Sequence, residues 1–435
     1  MDLVTPRNVH YNAFYKRSFA YYTMKERIPV ILTQLIDNLV RNKDKIISEY
    51  GQGAGEELKI VIGEISKIKY EVQTNKPLQE IVSSAPDIKI YNDYLAKQAT
   101  DDGWPTYFNC VWLLAECYIY RKLYDIFEKT NTLKDFDLFR YQKELALIDS
   151  IDSIIFMCKS LSDMLLNEKA LYPVKDMFIH LLKLNLWGNR QDLSITNGVV
   201  NHVTGDPMSN LENLESYIIS DHSEDIWSAI SDPAATSQIV DIVLDNAAYE
   251  LYFDFCLADY LLKNNLASKV RFYVKNMPWF ISDAMTRDVN WQIKQLRKHS
   301  NKYVSLFGQQ WDKHFKDGSW TVEVEDFWTY PLDYSYMKCL DNKLYRKLAE
   351  AKLIIFKGDL NYRKLFGERN WDPITPIEKA LQGFHPSKLC TLRTVKCDIV
   401  CGLRDGLVEE LEAKNAQWSY KGDYGMIQFC EKVEQ

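Results

Sequence analysis

Glycine is scarce in this chain, 17 of 435 residues. With few positions free to take unusual backbone angles and many long amphipathic segments, helix is expected to outweigh strand. No run approaches 18 consecutive apolar residues, which argues against a membrane-spanning helix. A basic excess is also missing. Lys and Arg number 53 against 60 Asp and Glu, a net charge of −7, so there is no overall electrostatic footprint for nucleic acid. The stretch Met1 to His10 has no apolar core of the kind a signal peptide needs. The nine cysteines are odd in number and irregularly spaced. They point to reduced thiols in the cytoplasm or nucleus rather than to a disulfide framework. Cys390, Cys397 and Cys401 cluster without zinc spacing, and Cys397 and Cys401 read as core residues.

Several catalytic signatures are missing as well. There is no HExxH and no GxSxG, and none of the seven histidines lies near another at metal-ligand spacing. Gly51-Gln-Gly-Ala-Gly55 superficially resembles a nucleotide-binding turn, but a helical pattern (38–50) precedes it where a strand is required. It reads as a helix–helix turn. No GxGxG follows a strand, so a conventional S-adenosylmethionine loop is absent.

What remains is an ordinary globular composition, 46% hydrophobic and 26% charged. The length allows two to three domains, or one α/β domain with a helical addition. Residues 22 to 175 are helical in pattern almost throughout. Ile28 to Val40, Leu58 to Ile68, Trp112 to Phe127 and Ile151 to Leu166 all carry apolar residues at i, i+3, i+4 and i+7. Residues 1–172 are therefore expected to form a helical N-terminal domain. Arg17, Lys25 and Arg27 near its start could reach the crevice at the strand exits, but a solvated helix face is the preferred reading. One more helix runs from Pro173 to Leu186, with Gly188 as its C′ residue. Asn189 and Asp192 follow in a polar loop, and residues 201–225 read as a surface excursion.

From there strands alternate with helices. Ile239-Val-Asp-Ile-Val-Leu244 is a buried strand leading through Asp245 and Asn246 into a helix that begins near Glu250. Lys269 to Lys275 alternates like a strand and leaves through Asn276-Met-Pro-Trp-Phe-Ile-Ser-Asp283. Leu353-Ile-Ile-Phe356 leaves through Lys357-Gly-Asp-Leu-Asn-Tyr-Arg363. Lys388 to Leu392 leaves through Arg393-Thr-Val-Lys396. Strand–helix alternation implies parallel pairing and right-handed crossovers. Residues 173–435 are thus expected to form an α/β/α unit with a mostly parallel sheet.

An Asx pair after a strand is the ordinary way to cap a helix. It becomes informative because polar groups stand at three further exits, and the exits of parallel strands share one edge, where ligands bind. Asp245, Asn246 and Asp283 offer hard oxygen donors suited to Mg²⁺ or Mn²⁺. Glu250, four residues after Asn246, returns to the same helix face. Arg363 and Lys396 are cations suited to phosphate, and Gly358 admits close backbone approach. The set suits metal-assisted phosphoryl transfer.

These stretches, together with Ser18-Phe-Ala-Tyr-Tyr-Thr-Met-Lys-Glu-Arg-Ile-Pro29, Trp187 to Ser194 and Gly383-Phe-His-Pro386, resemble the metal-dependent damage-control phosphatase family. More narrowly they resemble its eukaryotic subfamily marked by Arg-Thr-x-Lys, here Arg393 to Lys396. The resemblance spans nearly the whole chain. It implies a helical N-terminal domain joined to an α/β/α sandwich, with Asp245, Asn246 and Asp283 as ligands to Mn²⁺, Co²⁺, Ni²⁺ or Mg²⁺. It further implies that Asp359, Leu360, Asn361, Tyr362, Arg363 and Lys396 bind the phosphate and sugar of a substrate such as fructose 1-phosphate. Asn189 and Arg393 join the expected substrate-binding set, and Asp245, Glu250 and Lys396 the expected catalytic set. Whether Glu250 positions the attacking water, or Asp245 acts as nucleophile, stays open. Vertebrate members of the subfamily are also described as S-adenosylmethionine-dependent protein-glutamate O-methyltransferases, with the residue matching Glu250 assigned to that cofactor. The expected partner is a small sugar phosphate, without nucleic acid or membrane; no protein partner is indicated.

Overall fold

The computed structural model describes residues 2–99, 103–166, 173–189, 211 and 213–431. Seven strands form one sheet: β1 (Ile218–Asp221), β2 (Ile239–Val243), β3 (Lys269–Val274), β4 (Trp320–Val324), β5 (Leu353–Lys357), β6 (Leu389–Thr394) and β7 (Gly425–Cys430). Their order is β1-β7-β6-β5-β2-β3-β4. The five strands β6, β5, β2, β3 and β4 are parallel. β7 returns antiparallel to β6, and β1 pairs parallel to β7. The exits of β2, β3, β5 and β6 therefore share one edge. The sheet is mostly parallel, as strand–helix alternation implied.

Side chains of the central strands alternate between two hydrophobic layers, the period-2 signature of a sheet covered on both faces. Val240, Ile242, Val270, Phe272, Leu353 and Ile355 face one layer, and Val243, Tyr273, Ile354 and Phe356 face the other. The two charged residues in the middle of β2 and β3 face each other in register. Arg271 Nε and one NH₂ group donate to Asp241 at 2.6 and 2.9 Å, which satisfies both inside the sheet.

The helices used below are α1 (Ile28–Arg41), α2 (Gly53–Gln73), α3 (Trp112–Glu128), α4 (Val174–Gly188), α5 (Tyr249–Lys263) and α6 (Gly358–Leu365). α1 buries Ile28, Ile31, Leu32, Leu35 and Leu39 along one stripe. Residues of α1, α2 and α3 share a hydrophobic core with Tyr273, Phe356 and other residues of one sheet face, while α4 and α5 pack on the opposite face. Among the described residues no helix is long and apolar enough to cross a membrane. All nine cysteines are free thiols, and Cys397 and Cys401 are buried.

Three details differ from expectation. The 201–225 stretch is more than an excursion: Asn201 to Asn210 lie outside the described residues, but Ile218–Asp221 forms edge strand β1 and Ser223–Ser231 a helix. β4 and β7 are further strands that residue pattern alone left unread. Gly188 is the last helical residue rather than C′, with Asn189 as the C-cap. Its missing side chain is needed for packing, since a Cβ there would stand 3.0 Å from the Phe253 ring and 3.5 Å from Glu250 Cα.

Candidate active site

The loops leaving β2 and β3 are stitched together by main-chain hydrogen bonds. Ala284 N donates to Asp245 O and Ala247 N to Ser282 O, both at 2.8 Å, and Asn246 and Asp283 face each other as an isolated bridge. Residues 39 positions apart or less on two strand exits are thereby brought side by side. The loops are held in uncommon backbone conformations: Ala248 has φ +62°, Phe280 +41° and Ile281 +72°. Non-glycine residues there cost on the order of 1–3 kcal/mol each and persist where surroundings over-determine them.

Behind the loops lies a buried polar ladder between α4 and α5. Asn185 and Asn189, one helical turn apart, meet Asp254 and Glu250, one turn apart on the facing helix. Asn185 Nδ2 donates to Asp254 Oδ1 at 2.8 Å, and Asn189 Nδ2 to Glu250 Oε2 at 2.8 Å. Lys357, at the end of β5, donates to Glu250 Oε1 at 2.8 Å and Asp254 Oδ1 at 2.9 Å. Burial disfavours its charge, yet the two carboxylates hold its pKa above the ordinary lysine value. Burial in turn raises the Asp254 carboxyl to about 6, against the pull of Lys357.

Asn189 joins this ladder to both halves of the edge. Its Nδ2 also donates to Asp245 Oδ2 at 2.6 Å. Its Oδ1 accepts from Thr394 Oγ1 at 2.6 Å and Lys396 Nζ at 2.8 Å. Asn246 Nδ2 donates to Asp245 Oδ2 at 3.0 Å and Glu250 Oε2 at 2.7 Å. That arrangement turns Asn246 Oδ1 away from every donor: it is buried and has no hydrogen-bond partner. Lys275 Nζ stands 3.1 Å from Asp283 Oδ2. Gly358 (φ +82°) closes on Asp245 so tightly that a Cβ would lie 1.9 Å from Asp245 Oδ2. Only glycine satisfies both the angle and the approach.

The opposite half of the edge is organised by Asp359. Arg393 Nε donates to its Oδ1 at 2.7 Å, and the Lys396 main-chain N–H at 3.3 Å. Burial works against its charge, but Arg393, Arg363 and Lys396 hold its carboxyl below the usual range. Arg393 is itself wholly buried, donating also to Ile399 O at 2.5 Å and Cys397 O at 3.2 Å. Arg363 lies between Glu116 (2.7 Å) and Glu368 (2.5 Å), with its guanidinium 3.7 Å from the centre of the Trp112 ring. Burial raises the Glu368 carboxyl to about 7, against the pull of Arg363.

A narrow cleft of about 50 Å³ opens at this edge, above the 10–15 Å³ that one water occupies. Of the residues singled out from sequence, Asp245, Asp283, Asp359, Leu360, Arg363 and Lys396 line it. Asn189, Asn246 and Glu250 brace it from behind. Asn361, Tyr362 and Arg393, also in the expected substrate-binding set, are not among the lining residues. Asn361 Nδ2 donates to Lys357 O at 2.7 Å and Leu244 O at 3.3 Å, and its Oδ1 accepts from Tyr334, so it ties β5 to β2. The Tyr362 ring packs under the Arg393 guanidinium, 4.0 Å away. A helix aims only part of its surface at a given edge, and consecutive residues of α6 cannot all face the cleft. Arg190 to Ser194, including Asp192, lie outside the described residues.

The rest of the lining is Phe19, Ile31, Trp112, Glu116, Tyr120 and Phe280, which were not assigned to the site, and Arg27, for which reaching the crevice was the less favoured of two readings. Arg27 is a correction to the solvated-face reading, whereas Arg17 and Lys25 are exposed as expected. Thr23–Arg27 is a π-helical turn, which rotates the chain away from 3.6-residue periodicity. Periodicity therefore misassigns its faces. The usable signal was the 18–29 stretch itself, which belongs to the motif set but has no chemistry legible on its own.

Electrostatically the lining carries Arg27, Arg363 and Lys396 against Glu116, Asp245, Asp283 and Asp359. Carboxylates prevail, so an anion entering the cleft needs further positive charge. Among the described residues no three His, Cys, Asp or Glu side chains converge as a metal group. Asp245, Asp283 and the Asn246 amide oxygen form a mixed donor set instead, and the partnerless Asn246 Oδ1 fits a hard cation.

Comparison with known proteins bears on this geometry. The model of the family described as the damage-control phosphatase ARMT1-like domain matches residues 23–411. Among relatives named damage-control phosphatase ARMT1, those of Bos taurus and Homo sapiens are each 40% identical over 423 residues, covering 95% of this chain and 96% of theirs. That of Danio rerio is 36% identical over 429 residues, covering 96% of each chain. With the match running from the π-helical turn through both halves of the cleft, the chain belongs to the damage-control phosphatase ARMT1-like family.

Proposed function

We propose that this protein is a metal-dependent phosphatase that hydrolyses phosphomonoesters of small sugars, fructose 1-phosphate among them. The observation that carries the reading is the buried, partnerless Asn246 Oδ1 beside Asp245 and Asp283. An unsatisfied buried polar atom costs about 1–3 kcal/mol, and a hard divalent cation with room for further oxygen ligands would satisfy it. Mn²⁺ is the proposed ion, with Co²⁺, Ni²⁺ and Mg²⁺ as substitutes. When bound, such an ion polarises the phosphoryl group and neutralises its charge.

In this reading Lys396, held by Asn189, meets the charge that develops on the phosphoryl oxygens. Asp245 is the carboxylate available to the reacting phosphorus or its attacking water. Glu250 is a positioning residue, since Lys357, Asn189 and Asn246 already engage both its oxygens. That engagement gives the methyl-transfer alternative no support. Asp359, kept ionised by three cations, offers an acceptor for a sugar hydroxyl at the cleft wall.

The test is phosphate release from a panel of sugar phosphates by EDTA-stripped protein resupplied with each ion. Metal-dependent release that disappears in Asp245→Ala, with an unchanged circular dichroism spectrum, is the expected result. Release that continues unchanged in EDTA would refute the metal dependence. Absence of release with every ion and sugar phosphate would refute the phosphatase reading.

A further inference from the structure

Two guanidinium groups near the cleft, those of Arg363 and Arg393, hold the protein together. Arg363 is clamped between Glu116 and Glu368 and stacked on Trp112. Arg393 is buried and bonded to Asp359 and to main-chain carbonyls. A phosphate approaching either one would have to displace buried carboxylates from it. Arg27 differs in place and in exposure. It comes from the helical roof, is half-buried where Arg363 and Arg393 are buried, and lines the same cleft as Lys396. Its guanidinium lies 5.1 Å from the centre of the Phe19 ring and donates to Thr23 Oγ1 at 3.3 Å.

Its position is tied to the Lys396 loop. Phe19 N donates to Asp398 Oδ2 at 2.6 Å, and Asp398 is two residues beyond Lys396. Tyr11 O accepts from Trp112 N at 2.9 Å, and Tyr11 N donates to Glu368 O at 3.0 Å, so the segment before Phe19 is strapped to the Arg363 clamp as well. The π-helical turn Thr23–Arg27 then carries Arg27 over the cleft. π-turns of this kind are enriched at functional sites.

Resting on the phosphatase reading above, we propose that Arg27 is a specificity-determining residue that binds the substrate's phosphate from the roof, opposite Lys396. Arg363 is then a positioning residue that fixes the roof. A planar guanidinium suits two phosphate oxygens at once, which a lysine cannot match. The arrangement makes phosphate binding depend on docking of the N-terminal helical segment, because the floor supplies Lys396 and the roof supplies Arg27.

The experiment compares wild type, Arg27→Ala, Arg27→Lys and Lys25→Ala, each loaded with Mn²⁺. It reads KM and kcat for the sugar phosphate turned over best, and inorganic phosphate binding by calorimetry. Loss of a charge-assisted bond predicts that Arg27→Ala raises KM and the phosphate Kd about 10- to 100-fold, with a smaller change in kcat. The rise in melting temperature caused by Mn²⁺ should persist, and Arg27→Lys should fall between the two. Lys25→Ala, on the exposed side of the same turn, should match wild type. A folded Arg27→Ala whose KM and phosphate Kd lie within twofold of wild type overturns the proposal. If the wild type releases no phosphate from any ester, the phosphatase reading fails by itself, and the calorimetric comparison still decides whether Arg27 binds phosphate. A wild type that neither releases phosphate nor binds it overturns both.

Discussion

The two halves of the cleft's floor use their polar and charged side chains differently. At the exits of β2 and β3, Asp245 and Asp283 line the cleft, and Asn246 keeps an oxygen without a partner. At the exits of β5 and β6, Arg393 is consumed by Asp359 and carbonyls, Asn361 by the β2 and β5 main chain, and Arg363 by two glutamates. Asp359, Leu360 and Lys396 line the cleft there, alongside the clamped Arg363. On the reading proposed above, one half receives the cation, and the other is largely a rigid frame beside Lys396. A charged residue in a strand-exit motif can serve a ligand or serve another residue of the motif. Burial separates the two cases, because a charge removed from water must be compensated by the protein itself.

The contrast can be broken by substitution. The largest expected effect is at Asp245: Asp245→Ala should lower kcat by about 10³-fold or more and abolish the Mn²⁺-dependent rise in melting temperature, read by turnover and scanning calorimetry. Gly358→Ala should follow, with roughly a 10²-fold loss, because its Cβ would stand 1.9 Å from Asp245 Oδ2 and push that carboxylate aside. Wild-type turnover in Gly358→Ala would mean the close approach is irrelevant. Across the cleft, Lys396→Ala should lower kcat/KM by about 10²-fold with little change in melting temperature. Arg393→Ala, by contrast, should destabilise by about 3–5 kcal/mol, because buried Asp359 would lose its directly bonded cation and the Ile399 and Cys397 carbonyls their donor. Equal stability of the two variants in denaturant titrations would erase the distinction between frame and ligand.

The smallest effect concerns the roof. Burial pushes the Asp398 carboxyl up from 3.8 to about 6, against the hydrogen bond from Phe19 N. A raised folded-state pKa means the folded protein binds the proton more readily than the unfolded chain. The associated stability is present below about 3.8 and is lost as pH rises through about 6. Melting temperatures from pH 4 to 8 should therefore show wild type losing ground to Asp398→Asn up to about pH 6, with parallel curves above pH 7. Parallel curves over the whole range would remove Asp398 from the link between loop and roof.

Local pattern was sufficient for most of the fold. Aliphatic runs such as Leu353 to Phe356 and the 3.6-residue stripes of α1 and α3 are short-range signals, and each found its element within a residue or two. β1 and β4 escaped because edge strands are short or only partly apolar, and β7, an interior strand, because Gly425 and Gln428 interrupt its apolar run. In the site, Asp245, Asn246 and Asp283 could be read because parallel topology forces strand exits onto one edge. That Asn361, Tyr362 and Arg393 point into the protein was not legible, because residue type does not reveal which way a helix or strand turns a side chain.

Sequence alone determined the chemistry at the sheet edge: oxygen donors on one pair of exits and cations on the other, with glycine where the chain must close in. Tertiary structure alone decided which of those charges meet the cleft, since that depends on burial and on partners far apart in the chain, such as Asn189 with Asp245 and Arg363 with Glu116. It also decided that a helical segment from the other end of the chain completes the cavity. Arg27 looks like any exposed helix charge until a π-helical turn and the Phe19–Asp398 hydrogen bond set it over the Lys396 loop.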